Sequence, residues 1–189
     1  MRSLLILHAG LVALTVVACG DDAASYSAPV DINLEARSGA VQGATVMDEK
    51  NINTVSGNPY GAFVADARAV LGRDPGRIEV DELTVRLGAG STGVGRIGEI
   101  FAGRVEVLFR MNDTDHTFPV GSVDIDAATG SGPIAVGVGF DATAVPDEDW
   151  SKLVGGGFKV VVRGPAAAEF ASKGADADLQ ATFAFVAYE

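Results

Sequence analysis

Arg104-Val105-Glu106-Val107-Leu108-Phe109-Arg110-Met111 runs into Asn112-Asp113-Thr114-Asp115-His116 and then into Thr117-Phe118-Pro119-Val120. In the first segment Val105, Val107, Phe109 and Met111 occupy alternate positions, so an extended chain puts all four on one face. The middle segment is rich in Asn, Asp and Thr, whose side chains bond the local backbone and favour tight turns. Two alternating runs around such a loop spell an antiparallel hairpin.

The same period recurs outward in both directions. Val30, Ile32, Leu34 and Ala36 alternate with Asp31, Asn33 and Glu35, and Val41 to Met47 gives a shorter alternation. Arg77 to Leu87 carries Ile78 and Val80, then Leu83, Val85 and Leu87, a change of parity that predicts a bulge or bend near Asp81-Glu82. Thr117 to Ile125 changes parity in the same way, with Gly121 as the expected bulge site. Ile134, Val136, Val138 and Phe140 alternate with Ala135, Gly137 and Gly139. Phe158, Val160 and Val162 follow, and last Leu179, Ala181, Phe183, Phe185 and Ala187. That makes about eight strands.

One stretch has another period. Asn58-Pro59 reads as an N-cap with proline in the first turn, and Tyr60, Phe63, Val64, Ala67, Val70 and Leu71 recur at helical spacing up to Gly72. A helix is predicted over 59–71, and a shorter one at 147–154 where Trp150, Leu153 and Val154 share a face. A parallel fold would need a helix between most strands. The expected fold is all-β: an antiparallel β-sandwich, Ig-like or jelly-roll-like, forming one domain over 30–189.

Composition sets limits on function. The chain has 189 residues, a formal charge of -11 and 48% hydrophobic residues, too apolar for disorder and too acidic for a nucleic-acid partner. Its single Cys excludes an internal disulfide framework.

That Cys has a telling position. Arg2 precedes an apolar run from Leu4 to Val17, shorter than the roughly 20 residues of a spanning helix, as in an export signal. The run ends Val16-Val17-Ala18-Cys19-Gly20, which resembles the lipobox of bacterial lipoproteins. The resemblance implies removal of 1–18 and acylation of Cys19, with Gly20 after the cysteine favouring the outer over the inner membrane. Residues 19–29, small and acidic, then read as a lipidated tether of about ten residues. Loss of His8 would leave His116 as the only imidazole, which excludes a Cys/His zinc shell.

Among the remaining motifs, Gly88-Ala89-Gly90-Ser91-Thr92-Gly93 matches a dinucleotide-binding pattern in letters only. Two further glycines in Val94-Gly95-Arg96-Ile97-Gly98 make a poor helix start, so the stretch is expected to be an inter-strand loop. The acids are more suggestive. Hairpin alternation brings the loop 112–116 to the same end as the loop 141–149, so Asp113, Asp115, Asp141, Asp147 and Asp149, with Glu148, could offer oxygen ligands to Ca²⁺. An EF-hand glycine is missing. His116 has no marked nucleophile beside it, and Asp124 with Asp126 is too common a pairing in a chain with 25 acids to indicate a glycosidase. Most of the Phe residues fall on inward strand positions, while Tyr26, Tyr60, Tyr188 and Trp150 are scattered, so no sugar-stacking platform is evident.

These features together predict a non-catalytic, lipid-anchored cell-envelope lipoprotein with a structural, adhesive or ligand-binding role. Its partners would be the membrane, through the acyl chains, and a protein or glycan. The alternatives are a calcium-dependent binding module and an acid-dependent extracytoplasmic hydrolase.

Overall fold

The structure is a computed structural model that describes residues 24–55 and 57–189. The expected signal peptide 1–18, Cys19 and the first part of the expected tether lie outside the described residues. Two antiparallel sheets face each other, as the alternation requires. The first contains β1 (Ser25–Arg37), β9 (Asp176–Tyr188), β3 (Arg77–Leu87) and β6 (Ile134–Ala135), in that order. The second runs β2 (Thr45–Asn51), β8 (Phe158–Pro165), β4 (Gly103–Met111), β5 (Thr117–Ile125) and β7 (Gly137–Val138).

The deciding hairpin is β4–β5. Its register pairs Arg110 with Thr117 and Phe109 with Phe118, then shifts so that Val107 faces Gly121. Val120 is the extra residue and is fully buried, so the bulge sits one position before the expected glycine. Pro119, which has no N–H, stands where β5 is an edge, because β7 pairs only with Gly121 and Ser122. The bulge in β3 falls between Val80 and Glu82, where the parity change placed it.

Three expectations are corrected. β1 begins at Ser25, so residues 25–29 are strand rather than tether. β9 is long enough to pair with all of it, from Ser25↔Tyr188 to Arg37↔Asp176. β2 is shifted to Thr45–Asn51, because Gln42 and Thr45 close a turn through Ala44 at φ 68°. The alternating run 134–140 is not one strand: β6 pairs with β3, and β7 then crosses to β5. Val136 N–H donates to Leu83 and Gly139 N–H to Val120, so this strap joins the two sheets along one side. The described residues therefore hold nine strands, in keeping with the expected number of about eight.

α1 (Pro59–Leu71) starts at Asn58, whose side chain accepts from Tyr60 N–H, and stops at Gly72 in the left-handed region at φ 71°. Its apolar stripe of Tyr60, Phe63, Val64, Ala67 and Leu71 is buried. Tyr60 meets Phe158 and Phe185 edge-on at 5.1 and 5.2 Å, which links the helix to both sheets. α2 (Asp147–Gly155) seats Leu153 and Val154 in the core with Trp150 half-buried beside them. Phe109, Phe158, Phe183 and Phe185 fill the centre, each worth about 1.5–3 kcal/mol in buried apolar surface.

Candidate functional site

The hairpin loop 112–116 and the segment 141–149 do meet, at the end of the sandwich where β1 begins and β9 ends. They meet through one buried carboxylate. Asp149, in the first turn of α2, is completely buried. Its Oδ1 accepts from Thr114 Oγ1 at 2.9 Å and Lys152 Nζ at 3.2 Å, while Oδ2 lies 2.6 Å from His116 Nδ1. Burial alone would push the Asp149 pKa up. The bonds from His116, Thr114 and Lys152 outweigh it and hold the carboxyl below its usual range.

The five predicted ligand acids do not share a coordination shell. Among the described residues one group of His, Cys, Asp or Glu offers ligand atoms within 4.8 Å of one another, namely His116, Glu148 and Asp149. Asp113 and Asp115 lie in the hairpin loop with left-handed backbones, at φ 71° and 56°. Asp141 accepts from Thr143 N–H and Oγ1 at 2.9 and 2.6 Å, which keeps its pKa low and caps a 3-10 turn. Asp147 edges a shallow depression with Arg77, Thr143 and Trp150. Lys152 already holds the ground beside Asp149 that a cation would need. Geometrically the cluster ties α2 to the β4–β5 hairpin.

A second polar constellation lies on the outer face of the first sheet, toward its other end. Asn33, Gln180 and Arg86 stand in register across β1, β9 and β3. Arg86 Nε donates to Gln180 Oε1 at 2.6 Å. Glu35 and Asp178 form the next row, and Lys50 reaches in from β2. Together with Gly88 and Ala89 they line a cleft of about 350 Å³.

Sequence reasoning read Gly88-Ala89-Gly90 correctly as a loop but missed its use. A Cβ on Gly88 would lie 2.9 Å from Asp178 Cβ, and one on Gly90 would overlap the Asp178 carboxylate. Glycine at both positions lets Asp178 stand against the loop. Gly88 N–H donates to Asp178 O and Thr92 N–H to Asp176 O, so the loop extends the β3–β9 pairing rather than opening a helix.

The outer face of the second sheet is a charge ladder. Glu49 bridges Arg110 and Lys159, and Arg163 Nε lies 2.9 Å from Glu106. The Lys159 bond leads the effects that lower the Glu49 pKa. Beneath these side chains Leu108 and Val161 are buried on the solvent side of the sheet.

No protein-family model matches the chain, and no curated protein matches it in sequence.

Proposed function

We propose that the chain is a non-catalytic, lipid-anchored lipoprotein of the cell envelope, held in the outer membrane through Cys19, whose folded body binds a ligand. What carries the reading is the position of the chain's one cysteine behind Val16-Val17-Ala18, five residues before Ala24, the first described residue. Ala24 O already accepts from Glu189 N–H, so the body is anchored to its own last strand there. Five peptide steps reach at most about 18 Å, much less than the longer tether anticipated from composition. In this reading the end bearing Ser25, α2 and the 112–116 loop lies near the membrane.

No helix of the described residues is long and apolar enough to cross a membrane. In this reading the lipid chains carry the attachment, and two or more acyl chains make dissociation slow. The polar cleft lies near Asn33, about 26 Å further along β1 than Ser25 at the strand rise of ~3.3 Å per residue, on the side turned away from the bilayer.

Membrane fractionation of the full chain and its Cys19→Ser variant tests the anchor. The wild type should partition with membranes and into detergent, and the variant should be released into the aqueous fraction. Equal partitioning of the two would overturn the proposal.

A further inference from the structure

We infer that the cleft on the outer face of the first sheet binds an acidic saccharide. Most basic side chains of this acid-rich chain have a carboxylate within ion-pair distance. Among the described residues Lys50, Arg86 and Arg104 do not. Two of these three line the same concavity, Arg86 from β3 and Lys50 from β2. Arg104 instead donates to Ser122 Oγ at 2.7 Å, on the other sheet.

Arg86 uses Nε on Gln180, which fixes its plane and leaves the two terminal nitrogens for a ligand. Guanidinium and ammonium groups without a carboxylate, in a chain where acids outnumber bases 25 to 14, make a place for an anion. The rest of the lining asks for hydroxyls. Asn33 and Gln180 offer amides, and Asp178 and Glu35 offer carboxylate acceptors, with Glu35 also paired to Arg37. A bare anion would use the two cations and meet repulsion from the acids. A polyhydroxylated acid satisfies both sets, its carboxylate on Arg86 and Lys50 and its hydroxyls on the acids and amides. The volume of about 350 Å³ is that of a small-molecule site, and its polar lining suits a saccharide rather than an apolar ligand. This deepens the reading of the body as a ligand-binding domain and is independent of the anchor.

The test is calorimetric titration of the full chain, purified in detergent, with tetragalacturonic acid, with neutral maltotetraose and with inorganic phosphate. The acidic tetrasaccharide should bind, and the neutral sugar and phosphate should bind at least tenfold more weakly. Arg86→Gln and Lys50→Gln should each weaken tetragalacturonate binding about tenfold or more, the loss of one charge-assisted contact. Arg104→Gln removes the same charge outside the cleft and should leave binding unchanged. All three positions are at the surface, and unchanged melting temperatures would confirm that folding is intact. No tetragalacturonate binding, equal weakening by Arg104→Gln, or phosphate binding as tight as the saccharide would overturn the inference. Detergent-phase partitioning of the same preparation reports the anchor separately, so the two readings fail independently.

Discussion

Replacing Asp149 with alanine removes the one group on which Thr114, His116 and Lys152 converge. Bonds to a charged acceptor contribute about 1.5–3 kcal/mol each when both partners are desolvated. Here the Asp149 side chain is 0% exposed, but His116 is 49% and Lys152 22% exposed, so both partners recover water when the carboxylate goes. Thr114 loses its acceptor, and the carboxylate leaves a small void. The expected net loss is about 2–4 kcal/mol, below the upper range for breaking a fully buried pair. For a domain of this size that lowers Tm by about 5–15 °C at neutral pH.

The pH dependence has a definite sign. The folded Asp149 pKa is lowered from 3.8, so its stabilisation is complete above that value and is lost as pH falls through the folded pKa. The Tm gap between wild type and Asp149→Ala should therefore be constant near neutrality and narrow below about pH 4. Asp149→Asn, which keeps an acceptor without the charge, should recover part of the loss. Thermal unfolding followed by circular dichroism gives all three curves. A Tm within about 1 °C of wild type at pH 7, or a gap of the same size at pH 7 and pH 3, would refute the assignment of this carboxylate as the clamp between α2 and the hairpin.

Tyr60→Phe deletes the hydroxyl that donates to Leu153 O at 2.8 Å inside the core and leaves that carbonyl only the longer bond from Gly156 N–H at 3.3 Å; unfolding in urea should show a loss of about 0.5–1.5 kcal/mol. Burial pushes the Tyr60 phenol far above its usual range, so spectrophotometric titration of the folded protein should leave this tyrosine neutral until unfolding. Phe109→Ala opens the centre where Phe140, Phe158, Phe183 and Phe185 meet, and should cost about 3–5 kcal/mol in the same urea experiment. Millimolar Ca²⁺ should leave Tm unchanged, because Lys152 and His116 already occupy Asp149; a concentration-dependent rise would restore the calcium-dependent reading.

Local pattern made much of this fold readable. The cap of Asn58-Pro59 and the stripe from Tyr60 to Leu71 delimit α1 without reference to the rest of the chain. The parity change at Asp81 marks a bulge for the same reason, since alternation is a property of neighbouring residues. What escaped depends on partners distant in sequence. Ser25–Pro29 has no apolar alternation and reads as a linker; only the full length of β9 makes it a strand. Residues 134–138 alternate like one strand, but whether they bond β3 or β5 is settled by the gap between the sheets.

The site was legible to the same degree. Turn chemistry and strand alternation brought 112–116 and 141–149 to one end. They could not show that Asp149 faces inward while Asp113 and Asp115 stay exposed. The cleft left no motif at all, because Asn33, Lys50, Arg86 and Gln180 come from four strands and meet only through registers spanning the chain. The one local trace was a pair of glycines, whose meaning depends on Asp178.

The intact mass of the protein extracted from membranes tests the anchor most directly. The account predicts a chain beginning at Cys19, heavier than residues 19–189 by the mass of its acyl groups. A product that retains Met1–Ala18, or one that begins at Cys19 with an unmodified thiol and amine, would contradict it.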